Sequence, residues 1–168
     1  LSEVKARWGF HKGVIDEDKF PSSLITLANT QSHVIIVDAS ASRLFLFENE
    51  NGSPRVKSDF YVTIGKNGTE KYTEGDQKTP IGVYFVTGFI PSEDLPDLYG
   101  DGAYPIDYPN AWDQRHGRTG YGIWLHGTPS NTYSRAPKDS NGCVIVSNTD
   151  LNTLSEFIDE GKTPVIIT

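Results

Sequence analysis

A chain of 168 residues, 36% hydrophobic and 11% aromatic, is long enough to bury one self-sufficient core. Its 15 basic and 22 acidic residues leave a net charge of -7, which argues against a nucleic-acid surface built from clustered Lys and Arg. With a single cysteine no internal disulfide can form, and no apolar run approaches the roughly 20 residues that a membrane helix needs.

Sixteen glycines and ten prolines favour many short elements joined by turns over a helical bundle. No signal peptide is visible. A start at Leu1 in a chain without methionine is expected of a trimmed N-terminus, so no targeting segment informs localisation. Residues 1–31 read as a mixed lead-in with a short helix. From Ser32 the pattern sharpens into a domain over 32–168.

His33 to Asp38 is a β-branched run, Ser40-Ala41-Ser42 a turn, and Arg43 to Glu48 a second run. Turn residues from Asn49 to Pro54 precede a third strand, in which Val56, Phe60, Val62 and Ile64 occupy alternate positions. These three predict an antiparallel meander. Pro80 to Thr87 predicts a further strand with its proline confined to the start. Phe89 to Gly122 is dense in Pro, Gly, Asp and Tyr and lacks periodicity, which predicts a long functional lid carrying Tyr104, Tyr108, Trp112 and Tyr121 as aromatic surface. Gly122 to His126 and Gly142 to Val146 are short strands. Asn148 or Thr149 caps the clearest helix, whose apolar stripe is Leu151, Leu154, Phe157 and Ile158 and whose end is Gly161. Pro164 to Ile167 closes the fold. The sum is a mainly β (α+β) domain with one or two packed helices.

Two groups suited to nucleophilic chemistry lie close together in this pattern. His126 ends one predicted strand, and Cys143 begins another after a polar, turn-rich connection that can return to the same sheet rim. An imidazole beside a thiol is the pairing that makes a thiolate at neutral pH, since a free thiol with a pKa of about 8.5 stays mostly protonated. Gly142 lets the chain turn sharply before the nucleophile, so that neighbouring N–H groups can face an oxyanion. Taken alone, a cysteine beside Val144, Ile145 and Val146 reads as a small buried hydrophobe, and a histidine at a strand end reads as structural. The combination of His-Gly and Gly-Cys strand ends is what raises the chemical reading. His11, His33 and His116 have no comparable setting and are treated as surface residues. All four histidines precede the cysteine, which excludes papain-like order, and no arginine follows Arg135, which excludes a sortase. Without a second Cys or His at ligand spacing, a metal site has little support.

His126-Gly127, a spacer, Ser140-Asn141-Gly142-Cys143 and then Asn148 resemble the paired motifs of the L,D-transpeptidase (YkuD) family of peptidoglycan enzymes. Lys78-Thr79-Pro80-Ile81-Gly82-Val83-Tyr84 resembles that family's Thr-Pro-x-Gly-x-aromatic strand, and the resemblance runs from Val34 to Thr168. Gly-Ile-Trp-Leu-His-Gly-Thr is similar to the Gram-negative branch. Two departures stand out: Asn141 replaces a histidine, and Ile145 stands where the family commonly carries arginine. The resemblance implies a β-sandwich fold, a periplasmic or cell-envelope location, peptidoglycan stem peptides as partners, and no cofactor. It also implies attack by Cys143 on the bond after the L-centre of diaminopimelate. His126 acts as base, oriented by the carbonyl of Gly127, and the Gly142 and Cys143 N–H groups hold the oxyanion. Ser140 is expected to hydrogen-bond near His126 and fix its tautomer. Arg118 or Arg135 is expected to replace the missing arginine as a carboxylate clamp, with Tyr108, Trp124 and Asn148 completing the substrate-binding set. An amine acceptor makes this a transpeptidase. The alternatives are an L,D-carboxypeptidase that trims tetrapeptide to tripeptide and a non-catalytic peptidoglycan-binding module.

Overall fold

The structure, a computed structural model, describes residues 27–168. The predicted helix and most of the predicted lead-in therefore lie outside the described residues. Strands β1 (His33–Asp38), β2 (Arg43–Glu50) and β3 (Ser53–Tyr61) form the expected antiparallel meander, with a bulge between Leu46 and Phe47. The turn between β2 and β3 is tighter than the run Asn49 to Pro54 predicts. Asn51 and Gly52 both adopt positive φ, the conformation whose twist matches that of the flanking strands. Pro54 is therefore inside β3, where an edge strand tolerates a missing donor.

Two short strands follow, β4 (Ile64–Gly65) and β5 (Gly82–Phe85). The closing strand β11 (Pro164–Ile167) inserts between β1, to which it is parallel, and β5, to which it is antiparallel. The first sheet thus has the order β3-β2-β1-β11-β5. Central strands buried on both faces read as near-continuous apolar runs, as Val34-Ile35-Ile36-Val37 and Pro164-Val165-Ile166-Ile167 do.

The segment from Phe89 to Gly122 departs from the predicted lid. It contributes β6 (Ile90–Pro91), two 3₁₀ turns, β7 (Gly102–Pro105) and the short helix α1 (Ala111–Arg115). Strand β7 pairs with β8 (Trp124–His126), and β8 pairs with β10 (Val144–Ile145), giving a second sheet of order β10-β8-β7-β6. Of its aromatics, Tyr104 and Tyr108 are buried in the core, while Trp112 and Tyr121 are exposed. A small parallel pair joins β4 to β9 (Lys138–Ser140). The main core lies between the sheets and includes Ile35, Leu46, Tyr84, Leu125, Val144 and Val165.

Helix α2 (Asn148–Ser155) packs Leu151 and Leu154 into that core, with Phe157 and Ile158 against it from the turn beyond. Both of its predicted ends move. Ser147 is the cap, its side chain accepting from the Asp150 N–H at 3.1 Å, and the helix stops at Ser155, short of Gly161. Leu154 is fully enclosed. We expect Leu154→Ala to cost about 2–5 kcal/mol in urea unfolding, the range for a cavity in a core that relaxes only in part.

Candidate active site

The parallel pairing of β8 with β10 sets Leu125 beside Val144 and His126 beside Ile145. Successive side chains on a strand alternate between faces. Leu125, Val144 and Val146 all enter the main core, so His126 and Trp124 project from the opposite face. Continuing the register places Cys143 beside Trp124 on that face, diagonal to His126. The two residues separated in sequence by a polar connection therefore share one face of one strand pair.

His126 is buried, and its Nδ1 lies 2.7 Å from the Gly127 carbonyl oxygen. A carbonyl only accepts, so Nδ1 carries the proton and Nε2 keeps the lone pair. Burial, the largest influence, pushes the imidazole down to about 4. The Gly127 bond opposes that shift and the Arg135 charge adds to it. Tyr99 packs edge-on against the ring at 5.0 Å and also contacts Trp124. Cys143 is partly exposed, its Sγ 3.4 Å from the Gly122 carbonyl. Burial pushes its thiol up, while the Trp124 backbone N–H and the charge of Lys71 pull it down. Both shifts disfavour the charged form, since an enclosed site penalises the imidazolium and the thiolate alike.

The turn before the cysteine is tightly tied. Gly142 has φ +128, and a Cβ there would meet the Lys78 carbonyl oxygen at 2.8 Å. Buried Thr79 accepts from the Gly65 N–H and donates to the Gly142 carbonyl, both at 2.9 Å. Ser140 differs from its expected role. Its Oγ donates to the Cys143 carbonyl at 2.6 Å and accepts from the Gly142 N–H at 3.0 Å, so it braces the turn and not the imidazole. The Gly142 N–H is consequently engaged, which corrects its assignment as an oxyanion donor.

The expected substrate-binding residues are dispersed. Tyr108 is buried, with its hydroxyl on the Thr119 carbonyl at 3.1 Å, and lies edge-on to Tyr84 in the core. Burial and Asp113 push its phenol up to about 12. Arg118 pairs with buried Asp113 at 3.1 Å, between the exposed rings of Tyr72 and Trp112. Arg135 bonds Asp139 at 2.9 Å. Trp124 is half-buried beside Tyr99. Asn148 is a brace for the loop after His126: its Oδ1 accepts from the Thr128 N–H at 3.0 Å and its Nδ2 donates to the Thr128 carbonyl at 2.9 Å. A Cβ at Gly127 or Gly100 would collide with that Oδ1. Ile145, which by the same alternation shares the face of Cys143, is buried and its backbone pairs with Thr63. His116 is exposed against Trp112, as expected. His33 is half-buried against Phe157, which departs from its treatment as a surface residue, and His11 lies outside the described residues.

Sequence reasoning missed Lys71, Asp76, Thr79 and Tyr99 as parts of this site. Only Thr79 carried a signal, through the Thr-Pro-x-Gly match. Tyr99 sat in a segment read as a lid.

The family model described as YkuD, L,D-transpeptidase catalytic domain, matches residues 32–167. Among solved structures, Bdellovibrio bacteriovorus Bd1075 shares 34% identity at a TM-score of 0.77, over 90% of this chain and 54% of its own. The helical cell shape determining protein Pgp2 from Campylobacter jejuni shares 24% at 0.76, over 99% of this chain and 56% of its own. An L,D-transpeptidase (Yku) from Stackebrandtia nassauensis shares the fold at a TM-score of 0.56 and 16% identity, over 100% of this chain and 75% of its own. The chain thus spans a little over half the length of Bd1075 and Pgp2. No curated protein matches it by sequence.

Two outcomes follow from the geometry. Asn148→Ala leaves the Thr128 amide groups without partners and should cost about 1–3 kcal/mol in urea unfolding. His126 has a depressed pKa when folded, so the unfolded chain binds more protons between pH 6.5 and 4. Stability should be full above pH 6.5 and fall as pH drops towards 4. His126→Gln should flatten that slope in part, because His33 is also depressed and remains.

Proposed function

The chain belongs to the YkuD family of L,D-transpeptidase catalytic domains, and from that premise we propose that it is a peptidoglycan-modifying cysteine acyltransferase acting on stem tetrapeptides at the diaminopimelate–D-alanine bond. The observation that carries the reading is the buried, neutral His126, its Nδ1 proton held by the Gly127 carbonyl, on the strand beside Cys143. Only the Nδ1–H tautomer leaves Nε2 able to take a proton from a thiol.

In the proposed sequence the substrate carbonyl approaches the Cys143 face, and His126 Nε2 takes the thiol proton as Sγ bonds to the carbonyl carbon. The oxyanion faces the Cys143 N–H. Collapse breaks the bond to D-alanine, whose amine leaves with the proton from His126, and a thioester remains. An acceptor amine then gives its proton to His126, attacks the thioester and restores the thiol. Because the resting groups are neutral, charge appears only during transfer, where preorganised dipoles are worth most. Trp124 and Tyr99 form an aromatic wall beside the imidazole that suits the aliphatic part of a stem peptide. A cell-envelope location follows from the substrate. Among the described residues no helix is long and apolar enough to cross a membrane.

Mass spectrometry of purified disaccharide-tetrapeptide, with and without an added D-amino acid, tests this directly. The expected result is release of D-alanine with exchange of the added amino acid, abolished in Cys143→Ala and slowed about 10²–10⁴-fold in His126→Gln. Tripeptide alone would make the protein an L,D-carboxypeptidase. Unchanged substrate would leave the peptidoglycan-binding module in its place.

A further inference from the structure

The segment 69–79 folds around one carboxylate. Asp76 Oδ2 accepts from the Tyr72 and Thr73 N–H groups at 2.9 and 3.1 Å, and Oδ1 accepts from the Lys78 N–H at 3.1 Å and from Lys71 Nζ at 2.8 Å. A bridge between Thr69 and Thr79 closes the loop. Glu70 and Gln77 both sit at positive φ, 62° and 58°, which non-glycine residues adopt only where surroundings enforce it. The product is a lysine whose side chain is 3% exposed, with a second Nζ bond to the Thr73 carbonyl at 2.9 Å.

That ammonium abuts the strip of backbone that touches the thiol. A Cβ on Gly120 would lie 3.4 Å from Lys71 Nζ, and two residues on, the Gly122 carbonyl meets Cys143 Sγ at 3.4 Å. The Thr119 N–H bonds the Tyr72 carbonyl at 3.0 Å, which joins the two loops. Thr79, at the end of the Asp76 loop, also holds the Gly142 carbonyl. The same loop that buries Lys71 therefore fixes the turn carrying the cysteine.

We propose that Lys71 is a positioning residue that supplies the fixed positive charge facing Cys143, lowering the cost of forming the thiolate, with Asp76 holding it in place. This rests on Cys143 being the nucleophile. A neutral imidazole offers no resting charge to the sulfur, and Ile145 offers none from its strand. The Arg118 guanidinium lies between the Tyr72 and Trp112 rings, and the charge of Arg135 acts on His126. Among the charges acting on the thiol, Lys71 is the one that favours its ionised form. Lysine suits the task because its ammonium is a compact point charge that acts through space without a fixed fork.

The chain has one cysteine, so the pH dependence of its alkylation by iodoacetamide reads Cys143 alone, with Cys143→Ala as the blank. Lys71→Met should raise the midpoint by about one pH unit and slow alkylation at pH 7 about tenfold. Lys71→Arg should restore most of it. A Lys71→Met protein with native circular dichroism and an unchanged midpoint would overturn the proposal, as would an Arg variant no better than Met. If Lys71→Met does not fold, Lys71→Gln, which keeps donors for Asp76 and the Thr73 carbonyl, decides: an unchanged midpoint overturns it. No substrate enters this assay, so failure of the acyltransferase reading shows in the tetrapeptide experiment and leaves the thiol result standing.

Discussion

Parallel pairing of two very short strands, β8 and β10, is the constraint on which the candidate site depends. It spans only two residue pairs, Leu125 with Val144 and His126 with Ile145. A slip of one residue would send His126 into the core and Leu125 to the site. The register is held on one face and at one edge. On the core side Leu125, Val144 and Val146 are packed. At the edge away from β8, the Thr63–Ile145 bridge ties β10 to the strand region that leads into β4. The connection between β8 and β10 is itself anchored, because β9 pairs with β4 and Asn148 clamps Thr128. Two residue pairs suffice because the loops on either side are fixed by other elements.

Electrostatics follow from that enclosure. Desolvation lowers the imidazole and raises the thiol, so the resting state avoids burying an unpaired ion. Lys71 and Asp76 obey the opposite logic. They are ionised and enclosed, and they satisfy the condition for such a pair by accumulating hydrogen bonds. Burial works against the Asp76 carboxylate, yet Lys71 and three backbone donors hold it down to about 2. Breaking one partner of such a pair costs far more than the pair contributes over an apolar substitute, so its presence speaks for specificity or chemistry before stability. The carboxylate organises its own loop, and the ammonium is the part left to act beyond it.

Long apolar runs were legible because burial on both faces leaves a compositional trace, as in Val34 to Val37 and Val165 to Ile167. The meander was legible through period-two alternation and the Asn51-Gly52 turn. That His126 and Cys143 come to neighbouring strands was legible because strand ends flanked by Gly advertise themselves. Less visible were elements whose order comes from tertiary bonds. Strand β7 carries Gly, Ala, Tyr and Pro and is a strand because β6 and β8 flank it. Ser140 looked like a partner of His126 and Asn148 like a group facing a ligand, whereas each spends its polar atoms on backbone that would otherwise be orphaned. Lys71 resembled any lysine in a polar run. Nothing in composition distinguishes a buried ammonium from a solvated one until its partner is placed five residues on.

These reassignments share a cause. A site on short strands and long connections has little regular backbone pairing to hold it, so side chains must take over that work. Thr79 bridges Gly65 to Gly142, Ser140 closes the turn at Cys143, Asn148 holds the segment after His126, and Asp76 gathers its own loop. Each spends a polar atom on backbone. Their combined effect is to leave few groups free on the face of β8 and β10: the imidazole, the thiol, and the aromatic edge of Trp124 and Tyr99. A surface stripped to these is suited to recognising backbone and reacting atoms more than side chains. At its margins lie the 119–122 strip, the Asp76 loop and the exposed Tyr72, Trp112 and Tyr121.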